Sequence, residues 1–418
     1  PTITYSGLEP VVDNLNAVAR VFTFTGGAET ITVDDNAGTL DIDSDFFGEI
    51  VTNIPIPTGS LTINASANDA IVVNTAVTGI NVTLNAGTVT LNADIGGTIT
   101  GTPTIVNVNP GGSVQDGIDV ASTTSTATVN VAVGTFAGSL AIAKPLSLQG
   151  VSGSVIDVSG LATGIHVTSS NVTVNGIEVK GDASTIYGVY VAAGIGNLSS
   201  ISITNNKLHG MAGGTSPTGG SFGVLADAKV GGSSGSITGL MITANDIYDI
   251  GASGSRAGWG LNLHEVVGAS AGLGATITGN TFSTISDNGA PGSFGGYGVL
   301  AGLDLAPTSL QDSGYLISGN TFHTSAGVII QAMDSTVSAN VAADMAGVQN
   351  LVLNVNSQAT INLVGKQVTT DKVPTFSAAP FAPTLAYFST VQGAIDISEP
   401  GAIVTAFDHN FAEDVDVN

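Results

Sequence analysis

Six short stretches decide the architecture: VTVNGI (172–177), ITNNKL (203–208), ITANDI (242–247), ITGNTF (277–282), ISGNTF (317–322) and VSANVA (337–342). Each has an aliphatic residue, two small or polar residues, an Asn, any residue and then an apolar one. The Asn positions are Asn175, Asn206, Asn245, Asn280, Asn320 and Asn340. Their intervals vary from turn to turn, which excludes a propeller blade of fixed length and suits a coil with loops of unequal length. A second mark keeps step with the first. A Gly opens a short apolar strand at Gly164, Gly188, Gly223, Gly260, Gly298 and Gly327.

Around these marks the chain alternates apolar and polar residues almost continuously, as in RVFTFTG, ETITVDD, SLTINAS, INVTLNA and TVTLNAD, with Gly, Asn, Asp or Ala closing each run. Short Val-, Ile- and Thr-rich strands at a spacing of roughly ten residues indicate an all-β protein. The repetition points to a parallel β-helix (β-solenoid), whose successive coils stack about 4.8 Å apart so that equivalent residues form ladders. An Asn at each bend tolerates left-handed backbone geometry and passes amide hydrogen bonds along the stack. Beyond the bend, Ile177, Leu208, Ile247, Phe282 and Phe322 are expected to form an inward apolar column.

These repeats resemble the right-handed parallel β-helix, or pectate-lyase-like, superfamily over about residues 112–365. SVQDGIDVAS (113–122) places Val114, Ile118 and Ala121 on one face of a short helix, expected to cover the open first coil. The stretch ATVNVAVGTFAGSLAIAKPLSLQGVSGSVIDVSG looks like the opening coils of secreted bacterial β-helix proteins. Residues 1–110 form an acidic β-rich section, with eleven acids against Arg20 alone, expected to be solenoid too. GLEPVVDNLNAVARVFTFTGGAETITVDD resembles modules of very large repetitive surface proteins of aquatic bacteria. The expected division is thus 1–110, a β-helix with its helix over 111–365, a Pro-containing linker over 366–388, and 389–418. That last segment, STVQGAIDISEPGAIVTAFDHNFAEDVDVN, repeats the helix-and-strand pattern of 113–142, with Val391 and Ile395 for Val114 and Ile118. It reads as the start of a further β-helix or as an assembly segment, with Val391, Ile395, Phe407 and Phe411 as its apolar contacts.

Composition narrows the function. Eight Lys+Arg against 32 Asp+Glu give a net charge of −24, which disfavours phosphate backbones and anionic lipid surfaces. Nucleic acid and membrane insertion are therefore not expected, and no run reaches the roughly 18–20 apolar residues that span a bilayer. With no Cys, thiolate metal sites and thiol nucleophiles are excluded. Asp outnumbers Glu, as suits turns or calcium ligation. In DDNAGTLDIDSDFFGE (34–49), Asp41, Asp43 and Asp45 alternate to one side of a strand and, with Glu49, are the candidate calcium ligands; the other reading is a solvated acidic edge.

The resemblance implies cleavage of acidic polysaccharides, which in this superfamily uses Asp clusters with calcium and an Arg or Lys base. Two Arg, six dispersed Lys and the separated His166, His209, His264, His323 and His409 show no such cluster. Gly-rich loops place Phe222, Trp259, Phe294 and Tyr297 beside successive strands, where they either stack on sugar rings, anchor a neighbour or pack loops onto the barrel. The sequence therefore reads as a non-enzymatic extracellular or cell-surface structural protein, a unit of a surface layer, fibre or giant adhesin that associates end to end with copies of itself. The alternative is a carbohydrate-active or carbohydrate-binding β-helix.

Overall fold

The computed structural model describes residues 15–193 apart from 37 and 47–49, then 196–214, 220–228, 235–251, 258–264, 266–268, 272–285, 297–301 and 315–322; outside these it describes mainly strand segments. The protein is all-β, its sheets are mostly parallel, and it has almost no helix. It divides into two compact units, Pro1–Phe136 with Lys144–Val155, and Ala137–Ala143 with Ile156–Asn418.

In the first unit the strands are β1 (Val11–Val12), β2 (Ala19–Thr23), β3 (Thr30–Asn36), β4 (Thr39–Ser44), β5 (Ile50–Pro55), β6 (Ser60–Asn64), β7 (Ala70–Val73), β8 (Asn81–Asn85), β9 (Thr88–Leu91), β10 (Ile99–Gly101) and β11 (Ile105–Val108). Helix α1 (Val114–Val120), β12 (Ala127–Val131) and β13 (Gly134–Ala137) follow. β14 (Leu140–Ile142) belongs to the second unit and β15 (Leu146–Gly150) to the first. β3, β7, β9, β11, β12 and β15 are neighbours in parallel, with β4 and β5 added antiparallel beyond β3; β2, β6, β8 and β10 form a second parallel sheet. Alternation buries every second residue. Ile31, Ile71, Val89, Val106, Val129 and Leu148 lie in register as one inward column, and all are buried. Each such side chain contributes on the order of 1.5–3 kcal/mol.

Helix α1 starts where Ser113 caps it, its side chain accepting from Asp116 N at 3.2 Å. Lys144 Nζ holds the other end, donating to Asp119 O at 2.9 Å and Ala121 O at 2.5 Å, as a cation at a helix C-terminus should. The expectation that this helix covers an open first coil is corrected here. β11 precedes the helix and β12 follows it, and the two pair directly, Val106 with Val129. The sheet therefore runs past the helix. α1 packs against β10, the last strand of the four-stranded sheet, as well as β11 and β12. The expected boundary near residue 110 falls inside this unit.

In the second unit, strands recur in threes. After β16 (Ser154–Asp157) come β17 (Thr163–Val167), β18 (Val172–Asn175) and β19 (Glu178–Lys180). The next triplets are β20 (Tyr187–Ala192), β21 (Asn197–Thr204), β22 (Lys207–His209); β23 (Ser221–Asp227), β24 (Ser236–Thr243), β25 (Asp246–Ile250); β26 (Gly258–His264), β27 (Ala275–Thr278), β28 (Thr281–Ile285); and β29 (Tyr297–Ala301), β30 (Tyr315–Ser318), β31 (Thr321–Phe322). Each member pairs in parallel with the matching member of the next triplet. Beyond them lie β32 (Val328–Ala332), β33 (Ala339–Asn340), β34 (Asn350–Val355), β35 (Ile361–Asn362), β36 (Gln367–Thr370), β37 (Leu385–Phe388) and β38 (Val404–Phe407), of which β34, β37, β36 and β38 pair antiparallel. Two of these strands, β36 and β37, fall in the 366–388 stretch.

The recurring Gly has a steric cause. A Cβ on Gly164, Gly188 or Gly223 would stand 2.4, 2.6 and 2.6 Å from the carbonyl oxygens of Gly188, Gly223 and Gly260. Backbones approach here too closely for any side chain.

Candidate functional site

The buried asparagines form the most ordered polar array. Parallel register stacks Asn206, Asn245, Asn280 and Asn320, all nearly inaccessible to solvent. Asn245 Oδ1 accepts from Asn206 N at 2.9 Å and Asn206 Nδ2 at 3.1 Å. Asn280 Oδ1 accepts likewise from Asn245, at 3.0 and 2.9 Å, and Asn320 Oδ1 from Asn280, at 3.0 and 2.9 Å. Each amide nitrogen also donates to the last inward residue of a strand in the preceding triplet: Val174, Ile203, Ile242 and Ile277 for the four in order. A buried amide must be satisfied in this way or cost a few kcal/mol.

Asn175 stands outside this column. Val174 pairs with Ile203 and Asn175 with Thr204, so the residue level with Asn206 is Ile177. Ile177 ends the ladder by donating its backbone N–H to Asn206 Oδ1 at 2.9 Å. Asn175 instead accepts from Thr204 Oγ1 at 3.1 Å and Asn205 Nδ2 at 2.8 Å on the outer side. By the same shift the apolar column is Val179, Leu208, Ile247, Phe282 and Phe322 rather than one starting at Ile177. The left-handed residue is the one before each member of the column, Asn205, Ala244, Gly279 and Gly319 before the four Asn and Gly176 before Ile177, with φ of 54°, 55°, 66°, 65° and 71°. Asn340 is in β33, and its side chain lies outside the described residues.

Stacking also assembles groups that sequence spacing keeps apart. On the outer faces of β19 and β22, Glu178 is level with Lys207 and Lys180 with His209. Glu178 faces His209 Nε2 at 3.2 Å and Lys207 Nζ at 3.9 Å, while Lys180 Nζ meets Asp157 at 3.0 Å. The His209 ring stacks on Tyr248 at 4.7 Å. Three basic side chains thus share one face, a set missed because Lys180 lies 27 and 29 residues before Lys207 and His209, about the length of one strand triplet. The two lysine charges are engaged with Asp157 and Glu178, so the face is an ion-pair lattice worth little in stability per pair.

The aromatic flank is packed. Tyr187, Phe222, Trp259 and Tyr297 are in register, with Phe222 and Trp259 only 8% and 5% exposed. His166, Tyr190, Tyr187 and Phe222 stack face to face at 5.0, 4.9 and 5.6 Å. Burial, with the Asp227 carboxylate, pushes the Tyr190 hydroxyl up to about 12; burial lowers the His166 value. Tyr187 and Tyr190 are thus each flanked by two rings of the same stack. Phe294 lies outside the described residues.

Two of the candidate calcium ligands are engaged by the chain itself. Asp41 accepts from Asn53 N at 2.7 Å and from Asn36 Nδ2 at 2.9 Å, and Asp45 from Thr30 N at 2.7 Å. Asp43 shares the outer face of β4 with Asp41, and Glu49 is outside the described residues. Among the described residues no three His, Asp or Glu side chains come together as a metal site requires. A ladder that sequence reading missed lies on the first unit: Asp34 accepts from Asn74, Asn74 from Asn92 and Asn92 from Asn109, at 2.8, 2.6 and 2.7 Å. Its signal is an Asn directly after the last inward residue of β7, β9 and β11. Of the assembly residues, Val391 and Ile395 are helical and half-buried, Phe407 ends β38, and Phe411 lies outside the described residues. No protein-family model, curated protein or solved structure matches this chain.

Proposed function

We propose that the chain is a non-enzymatic extracellular structural protein: a right-handed parallel β-helix that serves as a unit of a surface layer, fibre or giant adhesin and associates end to end. The observation that carries this reading is the buried Asn206–Asn245–Asn280–Asn320 column within parallel strands that keep one register through successive triplets. Parallel strands stacked in one register end in strand edges, and strand edges pair with further strands. The 389–418 segment supplies a second copy of the helix-and-strand pattern that packs on β10–β12 in the first unit, and it would cover a neighbour in the same way.

Electron microscopy and sedimentation of the purified chain, with and without residues 389–418, test this. Elongated assemblies are expected for the full chain and shorter ones after deletion. Identical monomers in both samples would sink the reading.

A further inference from the structure

The first unit has one strand edge whose surroundings specify what pairs with it. Among the described residues β2 is the terminal strand of its sheet and is bonded on one side to β6. In a parallel pair, alternate residues serve a given neighbour. Val18 O accepts from Gly59 N at 2.8 Å and Phe24 N donates to Asn64 O at 2.9 Å, so the even-numbered residues serve β6. Ala19, Val21 and Thr23 therefore turn their N–H and C=O groups to the open side.

That edge is apolar and accessible. Val18 is 71% exposed and Val21 64%, whereas the residues level with Val21 on the next strands are Thr62, Thr83 and Thr100. Arg20, the basic residue of the strand, is turned inward and donates to the Leu15 carbonyl, so it does not stand across the edge. Exposed backbone groups of this kind call for an extended strand. The far end of the same sheet, β10, is packed by α1, so a head-to-tail partner has no matching edge to offer from this sheet. The side chains flanking the open edge, Ala19, Val21 and Thr23, carry no charge. In a molecule of net charge −24, two copies of this edge can meet without like charges in contact.

We propose that β2 pairs antiparallel with β2 of a second copy of the chain about a two-fold axis centred near Val21, extending the four-stranded sheet across the pair. This contact is independent of residues 389–418 and does not rest on the end-to-end reading.

The absence of Cys makes the test direct. Val21→Cys and, as a control of equal exposure elsewhere on the first unit, Val133→Cys (61% exposed) are oxidised mildly and run on non-reducing gels, alongside sedimentation of the unmodified chain and of Val21→Lys. Pre-paired cysteines react at millimolar effective concentration, so Val21→Cys should form a covalent dimer at least about tenfold faster than the control. Val21→Lys should lower the dimer fraction of both the full chain and the chain lacking 389–418. Equal rates for the two cysteine variants would overturn the proposal. So would a parent chain that stays monomeric, or assemblies beyond a dimer that Val21→Lys abolishes, because those would mean a head-to-tail contact.

Discussion

Replacing Asn245 with Ala tests the buried column where it is most connected. The side chain makes four hydrogen bonds: two accepted from Asn206, one donated to Ile203 O and one to Asn280 Oδ1. Truncation leaves the Asn206 N–H and the Ile203 carbonyl without this partner at a site that water does not reach, at about 1–3 kcal/mol each. A total near 3 kcal/mol is a large part of the stability of an ordinary domain. Asn175→Ala is the matched control. It removes the bonds from Thr204 and Asn205 at a half-exposed position where water substitutes, and should cost less than about 1 kcal/mol. The assay is urea unfolding followed by circular dichroism and by protease sensitivity, comparing midpoints at constant slope. Equal losses for the two variants, or a loss below about 1 kcal/mol at Asn245, would refute the register argued here.

Four other outcomes follow from the same geometry. Ala244 holds φ at 55° between Asn205 and Gly279 in a column otherwise filled by Gly and Asn; Ala244→Gly should raise the unfolding midpoint, by about 1 kcal/mol in stability. Gly223→Ala should lower stability by about 1–3 kcal/mol, because its Cβ would sit 2.6 Å from both Gly260 O and Ile247 Cγ2. Burial, opposed by the Ile95 N–H and reinforced by Asp94, raises Asp116 to about 6. The folded state then binds the proton more tightly than the unfolded one, so the contribution of this group is full below about pH 4 and declines, by at most about 3 kcal/mol, as pH rises to 6 and levels off. Thermal melts across that range should show the decline, and Asp116→Asn should flatten it; Asp157, held near 2 by Ser159 and Lys180, acts in the opposite sense and only below that window. Lys207→Glu places an acid between Glu178 and Asp246 in one column and should lower the melting temperature at low salt, with recovery as salt screens the repulsion.

The Asn column was legible because a buried amide at a bend needs the same residue above and below it, which leaves a mark in each turn. Asn175 misled because the aliphatic residue chosen to start the pattern was Val172, whereas Ile203, Ile242, Ile277 and Ile317 are each the last inward residue of their strand and match Val174. Counting from the inward alternation rather than from the Asn would have given Ile177. The helix at Val114 was placed correctly in the chain and wrongly in the stack. An apolar helical face shows that something is covered, but only the pairing of β11 with β12 shows that it is the end of the four-stranded sheet and not the end of a coil.

Function was less legible for a reason that lies in the stacking. Equivalent side chains on parallel neighbours stand about 4.8 Å apart, so a carboxylate repeated at one position would repel its copies all along the sheet. The chain carries 32 acids, and among the described residues the columns that follow show how such repetition is broken up. Thr62, Thr83 and Thr100 fill one, and Asn74, Asn92 and Asn109 continue another whose other end is the facing pair Asp41 and Asp34. Glu178, Lys207, Asp246 and Thr281 alternate in a third. Neighbours in space are thus drawn from positions tens of residues apart and chosen to neutralise one another. Short-range motifs are the wrong place to look for chemistry in such a chain, and the face bearing Lys180, Lys207 and His209 emerges only when the register is known.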